Sequence, residues 1–214
     1  MLDNLPLIAA LAFATGVTSK FADLLNEHGV RWFRGASHLL GAIWALLALC
    51  LTLTDSLVAA VWLSTVLFWF YRVKLDHFNH ALAGVCVIGA GLYMMRYHDV
   101  SLLAVVALTG WLVLSGEVNT FLKRSTDNRG VTLFLRLRLR YYAGPLALAV
   151  IEGSWAPAVA ILAGMAGTEL ITAWHAGLVK HSRALSLPWG MRYDPMLDES
   201  VPAIVKTLAT LATI

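Results

Sequence analysis

Carboxylates, imidazoles and cations gather in four short stretches of this chain, and each stretch borders a long apolar run. In VKLDHFNH, Asp76 and His80 stand four residues apart, hence on one face of a helix. A carboxylate and an imidazole at that spacing can chelate a divalent ion or form a catalytic acid–base pair, with Lys74 beside them to meet an anionic substrate. Asp76 could equally cap a helix that starts at His77. In TSKFADLLNEHG, Lys20, Asp23 and Glu27 follow at spacings of three and four. Asp23 is thereby either a further metal ligand or a member of a salt-bridged turn. SGEVNTFLKRSTDNRG carries Glu117, Asn119, Lys123, Arg124, Asp127 and Arg129. Carboxylates such as Glu117 hold Mg2+, and Lys123, Arg124 and Arg129 grip phosphate oxygens, so this mixture suits a phosphate or diphosphate. An ordinary basic cytoplasmic loop accounts for the same residues. Glu169, in ILAGMAGTELITAWH, precedes His175 by six residues, roughly 9 Å along a helix. A charged group near the bilayer centre costs roughly 2.5–3.5 kcal/mol, so an acid there marks a functional site or a helix–helix hydrogen bond. Gly164, Gly167 and Thr168 beside it also permit close helix packing.

The elements that must position these groups follow from composition. Of 214 residues, 59% are hydrophobic and 14% charged, with a mean hydropathy of +0.71. A water-soluble fold of this size would lack polar surface, which leaves lipid as the solvent. In lipid only helices or a closed barrel satisfy the backbone. Unbroken apolar runs such as LLGAIWALLALCLTL, without the alternation a barrel needs, favour helices. At about 20 residues per span, spans are expected near 4–25, 35–54, 56–73, 77–95, 100–118, 131–152 and 155–175. The second and third are separated only by a Thr54–Asp55 turn. The expected fold is an all-α, polytopic transmembrane helix bundle of about seven spans over 1–175. An interfacial tail follows over 176–214, ending in a short amphipathic or docked helix. The N-terminus shows no basic run or cleavage site and reads as a first span. Every Lys and Arg except Arg96 falls on one side of this arrangement. The positive-inside rule makes that side cytoplasmic, with the N-terminus outside, in a multi-pass protein of the cell membrane. Cys50 and Cys86 lie inside apolar runs and form no disulfide or metal framework.

Asp23, Asp76, Glu117 and Glu169 thus come from four spans and approach one half of the membrane. Convergence of acids and bases under an apolar canopy is what chemistry on a phosphorylated lipid requires. The expected function is an integral membrane enzyme, a transferase or cyclase, acting from the cytoplasmic side on a lipid or isoprenoid phosphate. Mg2+ would be held by Asp76, Glu117 and Asp23. His80 and Asp76 would serve as base or ligand, Lys74, Lys123, Arg124 and Arg129 would bind phosphate, and Glu169 would be a deeper acid or base. No nucleic-acid partner is expected, and Gly/Ala-rich faces allow a homo-oligomer. The blocks TSKFAD and KLDHFNH resemble stretches of small, functionally uncharacterised polytopic membrane proteins of archaeal type, a likeness covering about the first half of the chain. In general plan the chain is similar to intramembrane prenyltransferases, which place acidic motifs at cytoplasmic helix ends. Their N-D-x-x-D-x-x-x-D motif is missing, the nearest stretch being EVNTFLKRSTD, and so is the D-x-x-D-G-x-x-A-R motif of CDP-alcohol phosphotransferases. The alternative is a small ion- or proton-coupled transporter or channel, in which Glu169 would mark the ion path.

Overall fold

The structure, a computed structural model, describes residues 4–73, 78–125, 139–180, 184–199 and 201. Among these, seven α-helices and one small sheet follow in chain order. Helix α1 (Leu5–Glu27) runs directly into strand β1 (His28–Arg31). Then come α2 (Ala36–Thr52), α3 (Ser56–Tyr71), α4 (Phe78–Tyr97), α5 (Leu102–Ser125), α6 (Leu139–Glu152) and α7 (Ala156–Val179). The chain continues through β2 (Leu185–Ser186), a short 3₁₀ turn at Pro188–Gly190 and β3 (Arg192–Asp198). Four helices are long and apolar enough to cross a membrane: α1, α4, Leu102–Leu122 of α5, and α7. Helices α2 and α3 are apolar but have only 17 and 16 residues. At 1.5 Å per residue they reach about 25 Å, short of a hydrocarbon core of about 30 Å.

Local chemistry explains the helix starts. Asp55 caps α3, its carboxylate accepting from the amides of Leu57 at 2.8 Å and Val58 at 3.2 Å, so the expected Thr54–Asp55 turn is present. Proline opens α1 and α7, where its missing N–H has no cost.

Helices α1 and α7 make the tightest pair. A Cβ on Gly16 would run into the carbonyl of Gly164, and one on Gly167 into that of Phe13. The two backbones therefore touch, and only hydrogen at these positions allows it. Thr168 Oγ1 donates within its own helix to Gly164 O at 3.1 Å and lies 3.4 Å from Gly16 O. Further in, α2 packs on α4 around Trp44, Ala48, Ala83 and Val87. Ser64 ties α3 to α5 by donating to Val105 O at 3.0 Å.

Within the expected tail, residues 185–198 form strands attached to the bundle. Strand β3 lies between β1 and β2, antiparallel to both. Leu24, Val30, Leu178 and Tyr193 form an apolar cluster that fastens this sheet to the ends of α1 and α7. β2, with two residues, is too short to show a strand period, and the irregularity opposite Gly29 disturbs the alternation of β3, which is why the sequence does not announce them. The terminal apolar stretch, 202–214, lies outside the described residues.

Candidate polar centre beneath the sheet

Where the sheet meets the bundle, three elements bring their polar side chains together. Asp198 ends β3 and is 0% exposed. Its Oδ2 lies 2.7 Å from His175 Nε2 of α7 and accepts from the Tyr193 hydroxyl at 2.9 Å, while Oδ1 lies 3.3 Å from His28 Nδ1. A buried carboxylate is strongly unfavourable unless hydrogen bonds or charges compensate it, and three groups do so here. Burial first, then the hydrogen bond and charge of Asp198 and the charge of Asp194, push the Tyr193 hydroxyl well above the ordinary tyrosine range. Tyr193 is therefore a committed donor to Asp198.

A bulge makes this geometry possible. His28 pairs with Asp198 and Val30 with Tyr193, so Gly29 alone faces the four residues from Asp194 to Leu197. Gly29 adopts φ +69°, and a Cβ there would meet the carbonyl of Asp194. With the extra residues looped out, Tyr193 and Asp198, five apart in sequence, reach the same place. The His28 and His175 rings lie tilted to each other, centroids 5.1 Å apart.

Around the centre the polar groups continue. Lys20 Nζ is 3.5 Å from His28 Nε2 and 3.9 Å from Asp23 Oδ2. Asp23 Oδ1 is in turn 3.9 Å from His80 Nε2. His80 meets Trp44 and Trp69 edge-on at 5.1 and 5.7 Å. The line His80, Asp23, Lys20, His28, Asp198, His175 thus joins α4 to α7 through α1 and the sheet.

Of the residues singled out by sequence, Asp23 and His80 are brought together. Glu117 lies elsewhere on the rim, accepting from Tyr71 OH and Arg72 Nη1, both at 3.2 Å, with its side chain 51% exposed. Glu169 occupies an exposed position of α7 one residue beyond Thr168. Lys74, Asp76 and Arg129 lie outside the described residues, as do the side chains of Lys123 and Arg124. Among the described residues the one group of three metal-ligating side chains is His28, His175 and Asp198, whose ligand atoms all lie within 4.8 Å of one another. Sequence reasoning passed over all three. His28 follows the acids Asp23 and Glu27, His175 ends an apolar run, and Asp198 falls in the stretch after the last apolar span. The one local signal was His28-Gly29, a polar group followed by a residue free to take positive φ.

An apolar groove of about 400 Å³ lies between α5 and α6, lined by Ala104, Leu108, Trp111, Gly144 and Leu148 among others. It opens near the start of α5, whereas Glu117 and the polar groups belong to the opposite end of the bundle. Compared with protein-family models, curated proteins and solved structures, the chain matches none.

Proposed function

We propose that this chain is an integral membrane enzyme that uses a divalent transition metal at His28, His175 and Asp198 and acts on a lipid or isoprenoid phosphate from the basic, cytoplasmic side. In this reading all seven helices lie within the bilayer, the shorter α2 and α3 included, with the N-terminus outside. The observation that carries it is the buried carboxylate between two imidazoles delivered by three separate elements. Three atoms within 4.8 Å of one another leave a shared ion no more than about 2.8 Å from each, so a side-chain adjustment of roughly half an ångström would reach zinc distances of about 2.0–2.2 Å. Two nitrogens and a carboxylate suit zinc or a similar ion. Mg2+ prefers oxygen donors and so does not suit this centre, and Glu117, held by Tyr71 and Arg72, stands apart from Asp23.

Three protein ligands leave a fourth position where a metal polarises a phosphoryl oxygen or lowers the pKa of water. The chain's own residues would do the rest. Tyr193 holds the Asp198 carboxylate in place, which fixes the ligand orientation. Lys20, beside His28, would oppose charge building on a phosphate. Asp23 and His80 would pass a proton between this centre and the rim.

The test is metal analysis of detergent-purified protein, with melting curves in Zn2+ and Mg2+ and phosphate release from phosphatidic acid or an isoprenyl diphosphate. Zinc near one per chain in wild type, lost in His175→Ala, is expected. Wild type free of any bound transition metal, with no zinc-dependent melting shift, would remove the proposal's support.

The run of titratable groups from His80 to His175 favours a second reading, a proton- or ion-coupled transporter. Flux in proteoliposomes that depends on Asp23 and persists without zinc would select it.

A further inference from the structure

We infer that the outward face of the small sheet holds the phosphate of an anionic lipid headgroup, with Arg31 and Arg192 as its grips. Arg31 of β1 and Arg192 of β3 are direct cross-strand partners, and Ser186 of β2 is the partner of Arg192 on its other side. All three residues are exposed. Like charges set directly opposite each other destabilise an antiparallel pair. Among the described residues neither guanidinium has a carboxylate partner to offset this. An anion between them would turn repulsion into paired charge-assisted hydrogen bonds, and two guanidinium forks beside a hydroxyl match the oxygens of a phosphate. The three residues line a hollow of about 560 Å³ together with Leu185, Tyr193 and Asp194. Asp194 is the only acid among the lining residues, so the hollow stays positive.

The surroundings point to a lipid as the bearer of that phosphate. Trp189, in the turn between β2 and β3, is 81% exposed and adopts φ +58°, a conformation uncommon for a bulky residue. Its carbonyl accepts from Trp32 Nε1 at 2.9 Å, which pins the turn with the indole facing outward. Trp32 and Phe33 are exposed beside it. Strain held in place to present an aromatic ring, next to paired arginines, is what a membrane–water interface favours. Tyr193, next to Arg192 in β3, turns its hydroxyl to the other face to meet Asp198, so the hollow and the buried centre lie on opposite faces of one strand. In placing that headgroup in the class of lipid the enzyme would work on, the inference rests on the function proposed above. The binding itself does not require the metal.

The experiment follows melting of the full-length protein in mixed micelles of phosphatidylcholine, of phosphatidylcholine with phosphatidic acid, or of phosphatidylcholine with inorganic phosphate. Wild type is expected to melt higher with phosphatidic acid than in the other two. Arg192→Gln should raise the phosphatidic acid concentration needed for half of that response about tenfold or more, as expected for one lost charge-assisted contact. Arg31→Gln with Arg192→Gln should abolish it, and Arg192→Lys should keep part of it. Without acidic lipid, Arg192→Gln should melt no lower than wild type, since it relieves the opposed charges. A double variant that keeps the full response overturns the inference, as does a wild type indifferent to phosphatidic acid. Inorganic phosphate producing the whole effect overturns the assignment to lipid. His175→Ala separates the two proposals: it should lose zinc yet keep the phosphatidic acid response. A wild type that takes up no zinc but responds to acidic lipid defeats only the metal centre.

Discussion

Glu117 and Asp198 each collect a tyrosine hydroxyl and a nitrogen base, and there the likeness ends. Tyr71 and Arg72, neighbours at the end of α3, meet Glu117 at 3.2 Å on the rim, where about half of the carboxylate side chain is exposed. Tyr193, His175 and His28 meet Asp198 at 2.7–3.3 Å with no exposure at all. Water competes for every bond in the first group, so holding it together contributes little. The second has no water to fall back on, and each donor it loses leaves a buried charge less compensated. Residue type marks both places as chemistry. Burial, and delivery by distant segments, distinguishes the one that the fold is built around.

The sharpest way to break this contrast is to delete the two carboxylates. Asp198→Ala should cost about 3–5 kcal/mol, since it strips two imidazoles and a tyrosine of their common partner. Denaturant or thermal unfolding in detergent reads this directly, and a loss below 1 kcal/mol would mean the centre is not held as drawn. Alkaline pH gives a smaller separation. With its folded-state pKa raised, Tyr193 contributes stability that is fully present below the ordinary tyrosine value near 10 and declines as pH climbs above it. Wild type should therefore lose stability steadily above pH 10. Tyr193→Phe should flatten that decline, and equal slopes in the two proteins would contradict the assignment. Smallest of all, Glu117→Gln should shift stability by less than about 1 kcal/mol and leave metal uptake intact. A larger effect would show that the rim pair is more than an exposed contact.

Much of the helical layout could be read from the chain. The apolar runs, the Thr54–Asp55 turn and the small residues at 164, 167 and 168 correspond to helices, a cap and a backbone crossing in the structure. Helical spacing is local, so it leaves a periodic trace. Asp23 and His80 were also singled out, because each borders an apolar segment, and they do approach each other. The centre left no such trace. His28 and Asp198 are 170 residues apart, and the bulge opposite Gly29 breaks the two-residue alternation that would have advertised a strand. A polar group on a long helix declares itself by its cost in lipid. One held by a strand looks like any loop residue.

The pairing of β1 with β3 carries a consequence for biosynthesis. With translation at about 5–20 residues per second, His28 emerges roughly 10–30 s before the aspartate that completes its surroundings. Among the described residues every helix precedes that aspartate in the chain. A chain halted just upstream would carry these helices without the carboxylate that His28 and His175 share, leaving two imidazoles and no common partner between them.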